Sequence, residues 1–222
     1  MTGPVLAGHT PHLHLDDRGH EQAAALAARM AGVPLRAIVT SPLDRCLDTA
    51  QAVLDAQRAA GFEPAWHVDE RIVECRYGDW TGKAIKDLAK DPMWKIVQQQ
   101  PSAAVFPGGE ALRQTQARAV EAIREWDATL GDDAVWVACS HGDVIKGIMA
   151  DALGLHLDQF QRIVIDPCSV SVVRYTATRP FVLRTNDVGG DLSFLSPPAK
   201  KRRARGAAAE ATIGGGAGAG AL

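Results

Sequence analysis

The chain has 222 residues, 46% hydrophobic and 23% charged, which is enough for one α/β domain with a substantial core and short for two. No run reaches the roughly 18 apolar residues of a membrane span, and MTGPVLAGHTPHLHLDD has neither a basic start nor an apolar h-region, so a cytoplasmic protein without a signal peptide is expected. The formal net charge of −2 conceals Lys200, Lys201, Arg202, Arg203 and Arg205 set against Glu210, which leaves an acidic body that must hold any anion with a few placed cations and not with a general field.

Asp16 or Asp17 caps a helix through the alanine-rich stretch to Ala31, and Ala37-Ile38-Val39-Thr40 reads as a short buried strand. Ser41 then supplies an N-cap, Pro42 the first helical position and Asp44 an acid at N3. Leu43, Cys46, Leu47, Ala50, Val53 and Leu54 recur at helical spacing, giving a helix that ends near Gly61. A second long helix starts near Glu110, with Leu112, Ala119, Val120, Ile123, Trp126 and Leu130 on one face. Val135 to Cys139 is the next buried strand and Asp143 to Leu153 the helix after it, closed by Gly154. Val170 to Tyr175 and Val182 to Arg184 are two late strands flanking a turn at Pro180. Alternation of this kind predicts a three-layer α/β/α sandwich on a mostly parallel central sheet. The periodic pattern ends before Ser196. A folded domain over 1–195 and a disordered tail over 196–222 are expected, because the Pro-Pro pair, the basic run and the Gly/Ala-rich end cannot bury enough surface to offset their ordering entropy.

Several motifs lead away from other chemistries. Cys46, Cys75, Cys139 and Cys168 form no C-x-x-C pair, so reduced, mostly buried thiols are expected, with neither a disulfide framework nor a zinc knuckle. His9, His12, His14 and His20 lie close together, but no second pair at metal spacing joins them, so they read as solvated loop residues and no metal is expected. Gly78 to Lys83 is one residue short of a phosphate-binding P-loop, and the tail glycines follow no strand. The tail cations read as a solubilising extension and not as a nucleic-acid contact.

Two strand-to-helix turns place polar residues where a buried strand ends: Thr40-Ser41-Pro42-Leu43-Asp44-Arg45 and Cys139-Ser140-His141-Gly142-Asp143. In open α/β sheets ligands bind at the carboxyl ends of strands, where helix N-termini offer free N–H groups to anions. Arg45 and His141 are therefore expected to face one anion site. Gly142, without a Cβ, lets an anionic oxygen approach the backbone.

S-P-L-x-R-x-x-x-T-A (Ser41 to Ala50), E-x-R-Y-G-x-W-x-G (Glu74 to Gly82), P-G-G-E (Pro107 to Glu110) and S-H-G (Ser140 to Gly142) occur in this order. Together with L-D-D-R-G-H-E-Q-A at the first helix and F-V-L-R-T-N-D near the end, this set resembles the histidine phosphatase superfamily, of phosphoglycerate-mutase-like fold, over nearly the whole folded body. The resemblance implies a phosphohistidine enzyme in which Arg45 holds phosphate oxygens, His141 stabilises the transferring phosphoryl group and Glu74 protonates the leaving oxygen. Gly142 and Tyr77 join the substrate site, Tyr77 and Trp80 either lining its mouth or packing beside Gly78. Guanidinium matches phosphate oxygens bidentately, and a carboxyl raised by burial or by a bound anion can act as an acid near neutrality. No cofactor is called for. The expected partner is a small phosphorylated metabolite, with no nucleic acid or membrane, and a homodimer is entertained.

Members of that family begin with a strand ending in R-H-G, whose histidine is phosphorylated, whereas MTGPVLAGHTP resembles the stretch immediately downstream of that motif. Two explanations compete: a start placed downstream of the true one, and a phosphate-binding pseudoenzyme. The first is preferred, because the strand lies inside the family's sheet and its loss would leave backbone groups unpaired in the core. A short apolar run ending in Arg-His-Gly is expected upstream of Met1. Within the enzyme reading, a phosphatase is preferred over a phosphomutase because the folded body is short for the mutases.

Overall fold

A computed structural model describes residues 5–189; the tail expected over 196–222 lies outside them. Asp16 does cap the first helix, α1 (Asp17–Met30), accepting a hydrogen bond from the Gly19 amide at 2.8 Å. Strand β1 (Ala37–Thr40) follows and is wholly buried. It carries the chain into α2 (Asp44–Ala59) and then β2 (Ala65–Val68). Two short helices, α3 (Ile85–Leu88) and α4 (Pro92–Gln99), precede the long α5 (Leu112–Leu130). Strand β3 (Trp136–Cys139), helix α6 (Gly142–Ala152) and the hairpin β4 (Val170–Arg174) and β5 (Phe181–Asp187) complete the order.

Strands β2, β1 and β3 form a parallel sheet in that order, with Thr40 in register with Cys139. Both turns that carry the candidate residues therefore leave the same edge of the sheet, one strand apart. Alternation along β1 sends Ile38 into a core with Leu26, Ala50, Val53 and Leu54 of α1 and α2, and Val39 into one with Ala119, Ala122, Ile123 and Val144 of α5 and α6. Helices thus cover both faces, as a parallel sheet requires. A third core gathers Tyr77, Trp80, Trp94, Phe106, Leu112 and Phe160 beside α6. The N-terminal segment is fastened to it, with the Leu6 amide donating to the Lys83 carbonyl at 3.0 Å. No helix among the described residues is long and apolar enough to cross a membrane.

The sheet differs from the expectation in one respect. Strands β4 and β5 pair antiparallel as a separate ladder, not hydrogen-bonded to β3. Between β3 and β4 runs a cavity of about 1330 Å³, larger than the roughly 300–1,000 Å³ of ordinary small-molecule pockets. Val137 and Val172 line it from the two strands, Met30 and Val53 from one helical layer, and Ile145 and Ile148 from the other. Each strand is paired on its far side only among the described residues. Consequently β3 is half-buried along its length, although its neighbour β1 is sealed.

The start of α2 is also corrected. Leu43 precedes the first helical residue, and no side chain caps this end. Ser41 does not serve as N-cap, because it lies two residues before Leu43; its hydroxyl oxygen faces His141 at 2.6 Å and accepts from the Leu43 amide at 3.4 Å, short of the helix.

Candidate active site

His141 follows β3 and precedes α6, and only 5% of it is exposed. Its Nδ1 lies 3.1 Å from Arg45 Nη2 and its Nε2 lies 2.6 Å from Ser41 Oγ. A guanidinium only donates, so Nδ1 accepts and the proton sits on Nε2, donated to the Ser41 oxygen. The ring is therefore neutral. Burial pushes its pKa well below the usual value, and the charges of Arg45, His9 and Arg118 push the same way.

Arg45 lies in the first turn of α2. Its Nη2 also donates to the Gly8 carbonyl at 2.9 Å, while its Nη1 is buried with no hydrogen-bond partner among the described residues. A buried guanidinium N–H without an acceptor costs about 1–3 kcal/mol or more, which an anionic oxygen would offset. Arg45, His141 and Gly142 all line the cavity, at the carboxyl end of β3. The two turns thus meet at one place.

Glu74 lies close by and is 2% exposed. Burial first, and then the nearby Asp143 carboxylate, raise its pKa to about 7, against the opposing pull of Arg45, the Cys75 amide and Arg118. Oε1 accepts from the Cys75 amide at 3.0 Å. The loop that carries it is tied at several points. Arg118 Nη1 donates to the carbonyls of Arg71 and Val73 at 2.7 and 2.8 Å, and its Nη2 to that of Glu74 at 3.1 Å. Ser140 Oγ donates to the Ile72 carbonyl at 2.7 Å. Arg118 is itself gripped by Glu110 at 2.6 Å, and Glu110 accepts from the Arg76 amide at 2.9 Å.

The glycines of the two motifs interlock. A Cβ on Gly109 would stand 2.0 Å from the Arg76 carbonyl oxygen, and one on Gly78, at φ +52°, 2.1 Å from that of Pro107. Only glycine permits this approach, so E-x-R-Y-G and P-G-G-E form a single clasp holding Glu74.

Two expectations are corrected. Tyr77 is wholly buried, edge-on to Phe106 at 5.0 Å, and donates its hydroxyl to Asp143 Oδ2 at 2.7 Å. It is thus placed in the core, with its hydroxyl on Asp143. Trp80 packs likewise against Phe106 and Trp94. His9, read as a solvated loop residue, instead donates from Nε2 to the Glu74 carbonyl at 2.6 Å. His14 is 3.0 Å from Asp48 on the exposed side of α2. No group of three potential metal ligands occurs among the described residues.

Sequence reasoning missed Arg118, Asp143 and Lys146. Lys146 is 3% exposed, with its ammonium 3.6 Å from Asp143 Oδ1 and 3.2 Å from Gln161 Oε1. A lysine inside the apolar stretch Val144 to Ala150 is the available signal, because a buried ammonium needs a buried partner.

Residues 5–188 match the family model of the histidine phosphatase superfamily, branch 1. Phosphoserine phosphatase 1 of Hydrogenobacter thermophilus is 27% identical over 179 residues, covering 78% of this chain and 80% of its own. Glucosyl-3-phosphoglycerate phosphatase of Mycolicibacterium vanbaalenii is 31% identical over 154 residues, 66% of each chain. The solved structure of YhfR from Bacillus stearothermophilus superposes with a TM-score of 0.74 at 28% identity, covering 84% of this chain and 90% of that one.

Proposed function

Because the chain belongs to the histidine phosphatase superfamily, we propose that it serves phosphomonoester hydrolysis through a phosphohistidine, on a small phosphorylated metabolite. The observation that carries this reading is the buried Arg45–His141 pair at 3.1 Å, with a guanidinium nitrogen left over for an anion. Arg45 holds two phosphate oxygens, and His141, neutral with its proton on Nε2, hydrogen-bonds the transferring group once that proton leaves Ser41. The first-turn amides of α6, beginning at Gly142, receive a third oxygen. Glu74, protonated near neutrality, gives its proton to the leaving oxygen and then, as carboxylate, takes one from the water that attacks the phosphohistidine.

The nucleophilic histidine belongs, in this reading, on a parallel strand lying in the cavity between β3 and β4. Three features support that placement: both strands present to the cavity an edge unpaired among the described residues, apolar side chains line it from both helical layers, and its end opens at Arg45 and His141. A strand there would satisfy the backbone groups of β3 and β4 together and would carry its last residues to the anion site.

The deciding experiment compares the 222-residue chain with one extended upstream through an Arg-His-Gly segment. Inorganic phosphate release is assayed on phosphoserine, phosphoglycerates, sugar phosphates and nucleotides. The extended chain is expected to turn over at least one of these without a bisphosphorylated primer and to trap acid-labile phosphate on the added histidine. The shorter chain should bind phosphate and release none. An extended chain that forms no phosphoenzyme would remove the reading, and dependence on a bisphosphorylated primer would turn it to a phosphomutase.

A further inference from the structure

Two thiols stand against the anion site and take no part in the chemistry above. Cys46, one residue after Arg45 on α2, has its sulfur 3.6 and 3.8 Å from the two nitrogens of His141 and 3.5 Å from the Ser140 carbonyl. Cys139, the last residue of β3, has its sulfur 3.5 Å from the carbonyl of Cys46 itself. Thus the pair joins the first turn of α2 to the strand that ends at His141.

We propose that Cys46 and Cys139 form a reversible disulfide when a peroxide reaches them, an oxidation site that switches off phosphate binding at Arg45 and His141. The switch rests on the phosphate-binding reading of that pair; the disulfide itself does not. The first step is attack of the Cys139 thiolate on a peroxide oxygen, breaking the O–O bond and giving a sulfenic acid and, for hydrogen peroxide, a hydroxide that takes up the proton the thiol released and leaves as water. The Cys46 thiol then attacks that sulfur, forms the S–S bond and expels a second water, its thiol proton going to the departing hydroxide. Two thiols are oxidised and one peroxide is reduced. Cys139 is the half-buried thiol of the two and Cys46 the buried one, which makes Cys139 the sulfur that meets the peroxide first. Closing the bond fixes the two Cβ atoms about 3.5–4.5 Å apart, takes the Cys46 sulfur from its place beside the His141 ring and ties the first turn of α2, with Arg45, to the end of β3. A displacement of about 1 Å in a positioned group can cost about a hundredfold.

The test uses the 222-residue chain. Each of the four cysteines falls in its own tryptic peptide, those of Cys46 and Cys139 spanning 46–58 and 125–146. After hydrogen peroxide, mass spectrometry without reductant should find these two linked, with Cys75 and Cys168 still alkylatable, and a thiol reductant should reverse the link. Titration calorimetry with inorganic phosphate should show affinity falling at least about tenfold on oxidation and returning on reduction. Cys139→Ser should bind phosphate alike before and after peroxide. A link from Cys139 to Cys168, no link at full peroxide consumption, or a link that leaves phosphate affinity unchanged overturns the proposal. A reduced chain that binds no phosphate defeats the functional reading, and with it the switch, while the peptide map still reports whether the two thiols join.

Discussion

Arg118→Ala should loosen the whole loop that carries Glu74. The guanidinium makes hydrogen bonds to Glu110 and to three carbonyls of the Glu74 loop, and its side chain is 21% exposed against 14% for Glu110. Breaking a buried pair from one side costs about 3–5 kcal/mol, and partial exposure brings this toward the lower end. A loss of about 3 kcal/mol is expected, worth roughly 6–12 °C in Tm for a domain of this size. Urea unfolding at pH 7 reads it directly. Arg118→Lys should recover less than half, because one ammonium cannot span the carboxylate and the carbonyls together. The pH dependence gives a second check. Burial raises the Glu110 pKa, but its bonds from Arg118 and the Arg76 amide outweigh this and hold it below the ordinary 4.5. The stabilisation is then complete above about pH 4.5 and lost as pH falls through the folded-state value, so wild type and variant should converge in acid. A cost under about 1 kcal/mol, or a gap that widens in acid, would refute the clasp.

In a chain active as proposed, Glu74→Gln should slow hydrolysis of poor leaving groups by about 10²–10⁴ and that of p-nitrophenyl phosphate less; equal losses would take Glu74 out of the acid role. With its pKa raised to about 7, the acid form is lost above that pH, so kcat for poor leaving groups should fall on the alkaline side. Because folding favours the protonated carboxyl, stability should also decline as pH rises from about 4.5 through about 7. Lys146→Met removes the ammonium from the buried Asp143 carboxylate and should cost about 3 kcal/mol, whereas adding Asp143→Asn should regain part of it, as judged by calorimetric Tm. Arg45→Lys should weaken phosphate binding by at least about tenfold in titration calorimetry, since a point charge replaces a fork.

What could be read from the sequence divides by the range of the interaction. Ala37 to Thr40, Val135 to Cys139 and the helices after them carry their periodicity in the chain, and the two turns at their ends announce Arg45 and His141. Strand β2 leaves no such mark, because Ala65 to Val68 is a partly exposed edge strand with no alternation. The start of α4 is legible at Asp91-Pro92, a cap and a first-turn proline, Asp91 accepting from the Met93 amide at 2.9 Å. Ser41 has the local chemistry of an N-cap, yet the helix starts later, at Asp44, and its hydroxyl also reaches a histidine 100 residues away, a contact no local pattern announces. Arg118 and His9 act on backbone carbonyls 44 to 65 residues away, which any sequence possesses, and Asp143 on a hydroxyl 66 residues away. Tyr77 sits in a motif that points to function, but its role in the core is set by Phe106 and Asp143.

The meeting of Arg45 and His141 around one phosphate is tested most directly by a crystal structure with orthovanadate. The anion is expected at the carboxyl end of β3, within about 3 Å of Arg45 Nη1, a His141 ring nitrogen and an amide of the first turn of α6, with Glu74 facing its open side. Vanadate bound elsewhere, with Ser41 still holding His141 at 2.6 Å and Arg45 Nη1 still without a partner, would contradict the account.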